Sequence, residues 1–179
     1  MTLSISGQAY IAMALLLLTL PLPWVLAAMV AAVWHEACHA LAVVACGGKL
    51  LSLDITWGGA RMQTSPLSPR QALLCALVGP AGSLLLLFTA PWIPRIALCG
   101  LAQGVFNLLP VYPLDGGQIL RCLIPGWGQR GENICLLLLL VAALWGAVTG
   151  GWDTLPAAMV ALLWLPRKKP CKSSRFRVQ

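Results

Sequence analysis

The sequence predicts an all-α polytopic membrane protein with about six transmembrane helices and a short β-hairpin-like loop after the second helix. Hydrophobic residues make up 59% of the 179 residues and charged residues only 9%, whereas a soluble domain carries about 25% charged residues. The mean hydropathy is +0.84. This composition excludes a water-soluble globular protein, and at about 20 residues per span the length accommodates five or six helices.

Six apolar segments account for most of the chain. Proline and glycine, which end helices, mark the boundaries between them. The segments cover residues 7–20, 24–46, 71–90, 96–111, 134–149 and 154–165. We expect residues 1–166 to form one integral-membrane domain and residues 167–179 to form a basic tail. No Lys or Arg precedes the first, rather short segment, so we expect a retained helix and not a cleaved signal peptide.

The basic residues predict the orientation of these helices. Six of the twelve Lys and Arg residues lie in the last thirteen positions, and a basic tail after an apolar span is typical of a cytoplasmic segment that faces lipid headgroups. With that tail inside, six spans leave only Arg95 outside. The pattern predicts a multi-pass membrane protein with both termini cytoplasmic. It also argues against nucleic acid as the partner of a chain with net charge +7.

Residues 49–65 predict the β-hairpin-like loop. Apolar and polar side chains alternate here, followed by a glycine pair; the alternating residues are Leu51, Ser52, Leu53, Asp54, Ile55 and Thr56. A period of two before a glycine turn indicates a short hairpin, although a plain connecting loop explains the segment equally well. The edge strand of a hairpin could bind an extended peptide.

The two histidines of the chain, His35 and His39, lie one helical turn apart within the second segment. Both imidazoles therefore project from one face, where they can bind one Zn²⁺ while Glu36 reaches the metal-bound water. Ionisable groups near the middle of a span are costly and usually functional. Two merely structural histidines would leave Glu36 as an unexplained buried carboxylate. Two histidines on one turn also cannot be opposite axial ligands of a haem iron.

A catalytic zinc site needs a third protein ligand, and the sequence offers three candidates. Asp115 is best placed, because it follows the fourth segment and precedes two glycines; Asp54 and Cys38 are the alternatives. An unbroken fourth helix would carry Asp115 to the membrane surface, away from the histidines. Pro110 and Pro113 relieve this conflict, because proline interrupts a helix and allows it to unwind beside a wet cavity.

The segment from Asn107 to Gly117, NLLPVYPLDGG, resembles the NxxPxxxLDG signature of site-2 proteases, the intramembrane M50 metallopeptidases. The HExxH motif lies upstream of it, in the order typical of that family. Gly79-Pro80 is similar to the family's Gly-Pro element. The resemblance covers roughly residues 24–122, and the compact layout is most similar to the bacterial branch that processes a sporulation sigma-factor precursor. The location implied by this resemblance is a bacterial cytoplasmic membrane.

The resemblance implies roles for the matching residues. The zinc ligands would be His35, His39 and Asp115. Glu36 would be the general base, and the amide of Asn107 would position the substrate or polarise its carbonyl. Ser83 departs from the family, which often has Asn at this position. Neither a PDZ insertion nor a CBS domain is expected.

The implied function is an intramembrane zinc metalloprotease that hydrolyses a peptide bond within or near a transmembrane segment of a membrane-tethered substrate. Zn²⁺ would be the cofactor. The partners would be the lipid bilayer and a membrane-protein or membrane-associated substrate, with a regulatory membrane partner left open. One alternative is a membrane metal-binding or transport protein, which would more often spread its polar ligands over several helices. Another is an inactive peptide-binding relative, which would lack a catalytic group.

Overall fold

The computed structural model describes residues 2–56, 59–112, 114–124 and 128–149. Helices make up most of this part of the chain, together with one three-stranded sheet. In chain order the elements are β1 (Thr2–Ile5), α1 (Gly7–Thr19), α2 (Leu22–Ala45), β2 (Leu50–Thr56), β3 (Gly59–Thr64), α3 (Pro69–Leu85), α4 (Pro94–Asn107), α5 (Asp115–Leu123) and α6 (Gln129–Thr149). A single 3-10 turn, Leu86–Thr89, continues α3.

The helix boundaries follow the prolines and polar caps of the sequence. Pro23 lies in the first turn of α2 and Pro94 opens α4; proline is tolerated there because a first-turn N–H has no partner within the helix. The N-terminus of α3 has a capping box, in which Ser68 Oγ accepts from the Gln71 N–H and Gln71 Oε1 accepts from the Ser68 N–H. The first three apolar segments are thus confirmed as helices. Their ends lie within two residues of the expected ones when the 3-10 turn after α3 is included.

Two helices of the described residues are long and apolar enough to cross a membrane, α2 and α3 with its 3-10 turn. Large apolar side chains cover the outside of the helical bundle; for example, Leu18 is 83% exposed, Phe88 77% and Trp92 79%. Such a surface suits lipid and not water. The prediction of about six spans goes beyond these two helices, and its sixth segment lies outside the described residues, as does the basic tail.

The buried core lies where α2, α3 and α4 pack against one another. Ala31 of α2, Ala76 of α3 and Ala97 of α4 are all nearly inaccessible, and small residues of this kind let membrane helices approach closely. The indole N–H of Trp34 donates to the carbonyl of Gly82 at 2.8 Å, which ties α2 to α3. These three helices carry most of the side chains of the candidate site.

The sheet confirms the predicted hairpin and adds a strand. β2 and β3 pair antiparallel, with Asp54 opposite Arg61. β1 pairs parallel with the other side of β2, and the Ser4 hydroxyl donates to Asp54. β1 has no recognisable signal in the sequence, because four residues are too few for a periodic pattern. β3 is left as one edge of the sheet.

The fourth helix ends earlier than predicted. The apolar run continues to residue 111, but α4 stops at Asn107 and the backbone is not helical again until Asp115 opens α5. Pro110 lies in this break, and a proline ring has no N–H to extend a helix. The predicted interruption is therefore confirmed, although position 113 lies outside the described residues.

The region between α4 and α6 is more ordered than a connecting loop. The nine residues of α5 are helical, and α6 begins at Gln129, ahead of the predicted start at residue 134. Glu132 of α6 is only 1% exposed. Its carboxylate accepts from Arg121 Nε at 2.7 Å. A charge pair of this kind allows a carboxylate to be buried.

Candidate metal centre

The imidazoles of His35 and His39 lie next to each other on one side of α2. Their ring centroids are 4.7 Å apart and the rings are nearly perpendicular, at 83°. His35 is only 2% exposed. The two Nε2 atoms lie 3.1 Å apart, so both rings offer the same atom to one point in space.

The break after α4 brings Asp115 to these histidines. Within it the Val111 N–H donates to the Leu109 carbonyl at 2.7 Å, and the Leu114 N–H donates to the Val111 carbonyl at 2.9 Å. The next residue, Asp115, opens α5. A Cβ at Gly116 would overlap the backbone carbonyl of Leu108. The glycine after the aspartate therefore lets the first turn of α5 lie directly against the non-helical segment.

Three ligand atoms converge at this point. Asp115 Oδ2 lies 3.1 Å from Nε2 of His35 and 3.1 Å from Nε2 of His39. A tetrahedral Zn²⁺ with bonds of about 2.0–2.1 Å would separate its ligand atoms by about 3.3 Å. The spacing and the donor set therefore fit a small divalent metal ion.

The other two candidates for the third ligand lie elsewhere. Asp54 is in the sheet, where its carboxylate accepts from Ser4 and Gln63. Cys38 points its thiol at Gly82 of α3. Of the three alternatives left open by the sequence, the structure brings only Asp115 to the histidines.

Both histidines are also held at their outer nitrogens. His39 Nδ1 donates to the Cys75 carbonyl at 2.7 Å; because a carbonyl can only accept, this nitrogen carries the proton and leaves a lone pair on Nε2. His35 Nδ1 lies 2.8 Å from Ser83 Oγ. Such partners fix the orientation and tautomer of a metal-binding histidine. Sequence reasoning did not assign Ser83 this contact; a hydroxyl in an apolar helix, one turn after Gly79-Pro80, was the available signal.

Replacing Ser83 with alanine is expected to weaken metal binding roughly 10–100-fold, because loss of such an outer partner typically has this effect. Ser83 is fully buried, so the variant leaves His35 without its Nδ1 partner. The measurement is Zn²⁺ affinity by competition with a chromogenic chelator. Thr89→Val is the matched control, because it removes a hydroxyl at the end of the same helical segment that donates only to the Leu86 carbonyl. Equal affinities in the wild type and Ser83→Ala would contradict the prediction.

The Gly-Pro element is explained by the position of His39. A Cβ on Gly79 would overlap the imidazole of His39. Glycine is therefore required for α3 to lie against that ring. The contact places the Cys75 carbonyl, one turn earlier in α3, within reach of His39 Nδ1.

Two further predicted residues lie beside the three ligand atoms. Asn107, the last residue of α4, has its Nδ2 3.4 Å from His35 Nε2. Glu36 lines the same cavity, and its carboxylate has neither an ion pair nor a hydrogen bond to any residue that the structure describes. The carboxylate is thus available to a bound molecule.

A cavity of about 520 Å³ lies against this cluster. Its walls come from α2, the edge strand β3, the first half of α3, the end of α4 and the start of α5. Tyr112 lies in the wall, and the guanidinium of Arg121 is 4.2 Å from the centre of its ring. Arg121 is the residue that pairs with Glu132, so α5 and α6 together support the segment that precedes Asp115. This support was not predicted from the sequence.

The sequence and the fold both have known counterparts. The model of "Peptidase family M50" matches residues 83–145. A Synechocystis sp. protein with the name "Putative zinc metalloprotease sll0528" is 33% identical over 133 residues, which are 62% of this chain and 35% of that protein. Rip3 of Mycobacterium tuberculosis, named in the same way, is 30% identical over 122 residues, which are 56% of this chain and 30% of Rip3. The chain thus spans about a third of the length of these relatives.

The solved structure of the site-2 protease from Methanocaldococcus jannaschii has the same fold. It superposes with a TM-score of 0.60 at 20% identity and covers 87% of this chain and 82% of its own. The family match begins at Ser83 and includes both Asn107 and Asp115. By sequence, therefore, the chain is similar to M50 peptidases over residues 83–145, and by fold it is similar to a site-2 protease.

Proposed function

We propose that this chain is an intramembrane zinc metalloprotease that hydrolyses a peptide bond within or near a transmembrane segment of a membrane-tethered substrate. One observation carries the proposal: Asp115 Oδ2 and the two imidazole Nε2 atoms lie 3.1 Å from one another. The carboxylate of Glu36, which has no partner among the described residues, lines the same cavity. A transporter would need polar groups along a path. Here they are gathered at one centre.

His35, His39 and Asp115 would hold the zinc ion. When bound, the zinc ion would act as a Lewis acid that lowers the pKa of its bound water and polarises a peptide carbonyl. Glu36 would act as the general base that takes a proton from the attacking water and returns it to the leaving nitrogen. The Nδ2 of Asn107 would donate to the carbonyl oxygen of the scissile peptide and so stabilise its developing charge.

The proposed bilayer arrangement has six spans and both termini in the cytoplasm. Support comes from where the charges lie in the fold. Arg95, at the start of α4, is 6.0 Å from the ring of Trp24 at the start of α2, and such aromatic and basic anchors are typical of a membrane interface. The opposite end of the bundle has the sheet, with Lys49 and Arg61 at or near its strands. Because β1 pairs with β2, residue 2 lies at this same end.

The edge strand β3 is the proposed holder of the substrate. A helical carbonyl is hydrogen-bonded and shielded, so a substrate helix must unwind before hydrolysis. Residues 60–64 of β3 line the cavity, and an edge strand can pair with an unwound, extended chain.

Among site-2 proteases, we propose the branch that processes a sporulation sigma-factor precursor. The described residues between α2 and α3 form a hairpin and no further domain, which supports this proposal.

Deleting residues 57–60, two of which lie outside the described part of the chain, is expected to reduce cleavage without loss of metal. The deletion removes the first two residues of β3 and the two residues before them, but none of the proposed ligand atoms. Cleavage of a single-span model substrate and zinc content are measured on the same preparation. Unchanged cleavage would discard the role of the hairpin.

The first test of the function is metal content and its link to hydrolysis. Protein purified in detergent is expected to contain about one zinc ion per chain, the stoichiometry of a single tetrahedral site. A chelator should abolish cleavage of a model single-span substrate, and added zinc should restore it. Absence of zinc from carefully handled protein, or cleavage that survives its removal, would contradict the proposal.

A further inference from the structure

Gln103 is a polar side chain within the apolar stretch of α4. It is half-buried and lines the cavity, and its amide makes no hydrogen bond to any other residue in the described ranges. Unbonded amides in a low-dielectric setting are costly, and polar groups inside membrane helices usually have a partner or a function. The amide of Gln103 is therefore available to bind a molecule in the cavity.

The orientation of α4 is fixed by its neighbours. Residues three and four apart share a helix face, and Gln103, Phe106 and Asn107 all line the cavity. On the adjacent face, Gly104 packs against the Pro80 carbonyl of α3. Gln103 thus lies on the same face as Asn107, about 6 Å farther along the helix axis from the metal ligands.

An extended peptide in this cavity has two polar edges. One edge would pair with β3, as proposed above. The other would face α4, and its N–H and C=O groups would need hydrogen-bond partners there. A glutamine amide contains one acceptor and two donors, so Gln103 can satisfy a C=O and an N–H of the same extended segment.

We infer that Gln103 binds the backbone of the extended substrate, about one turn of α4 from the peptide bond that is cleaved. This inference rests on the proposed proteolytic function. It identifies the substrate as a segment that is recognised through its main chain on both edges, by β3 and by α4. Recognition of this kind tolerates many side chains but requires an unwound conformation.

The test uses Gln103→Met, which keeps the size of the side chain and removes its amide. Val105→Met is the matched control, because Val105 is on the same helix, 54% exposed and outside the cavity wall. The zinc-loaded full chain is titrated with two probes, a tripeptidyl hydroxamate and acetohydroxamate, which has no peptide arm. We expect Gln103→Met to weaken binding of the tripeptidyl hydroxamate roughly tenfold, because its polar groups would then be left unpaired. Acetohydroxamate affinity and zinc content should not change.

A second measurement identifies the contact itself. Esters replace the amides of the tripeptidyl probe one at a time, which removes individual N–H donors. One ester should weaken binding to the wild type and to Val105→Met, but have no further effect in Gln103→Met.

Three outcomes would overturn the inference. The first is equal affinity of the wild type and Gln103→Met for the tripeptidyl probe, and the second is an equal loss of that affinity in Val105→Met. The third is a parallel loss of affinity for acetohydroxamate in Gln103→Met, which would indicate a disturbed metal centre. A wild-type chain that binds neither zinc nor either hydroxamate would instead contradict the proteolytic function itself. The two failures are therefore distinguishable.

Discussion

Glu36→Gln is expected to lower the rate of peptide hydrolysis by about 10²–10⁴-fold, the typical contribution of a general acid–base group, with the metal still bound. The amide of glutamine is close in shape to the carboxylate but cannot accept a proton at neutral pH. Glu36 is not one of the three residues whose ligand atoms converge, so the substitution should leave the metal site intact. The measurement pairs zinc content with the cleavage rate of a model single-span substrate.

The control for this prediction is Glu36→Asp, which keeps a carboxylate but retracts it by one methylene group. Intermediate activity in Glu36→Asp and near-zero activity in Glu36→Gln would identify proton transfer as the function of this side chain. Full activity in Glu36→Gln would refute the assignment. It would also favour a metal-binding or transport protein, in which this carboxylate has no chemical step to perform.

The second large effect is expected for Asp115→Ala, which should lose its zinc. The substitution removes one of the three proposed protein ligands, so the loss of affinity should exceed the roughly 10–100-fold effect of losing an outer hydrogen-bond partner. Cleavage should disappear together with the metal. Zinc content by mass spectrometry, before and after dialysis against a weak chelator, measures the effect.

Two matched variants separate this prediction from the alternatives that the sequence left open. Asp54→Asn removes the charge of a carboxylate in the sheet, and Cys38→Ala removes the thiol that points at Gly82. Both should retain zinc. Zinc retained in Asp115→Ala but lost in either control would transfer the third ligand to that residue.

Much of the site could be predicted because its chemistry is local in sequence. His35, Glu36 and His39 share one turn of one helix, so their spacing alone indicates their common face. The break before Asp115 was also predictable, since Pro110 cannot continue a helix. These features depend on backbone rules that any sequence obeys.

The partners of these residues were less accessible to sequence reasoning. Ser83 reaches His35 only because Gly79 lets α3 approach α2, and that approach is a property of two helices together. The pairing of Arg121 with Glu132 likewise depends on how α5 meets α6. Contacts between elements distant in sequence have no periodic signature, and one sequence alone does not specify them.

The proposed metal ligands come from parts of the chain that are far apart. His39 and Asp115 are 76 positions apart, and the intervening residues include the hairpin, α3 and α4. A bound ion would therefore act as a reversible cross-link that closes a long loop, and cross-links of long loops restrict the unfolded chain most strongly. Because the complete ligand set forms only when α2 and α5 have met, metal occupancy would report on correct assembly of the bundle as well as on readiness for chemistry.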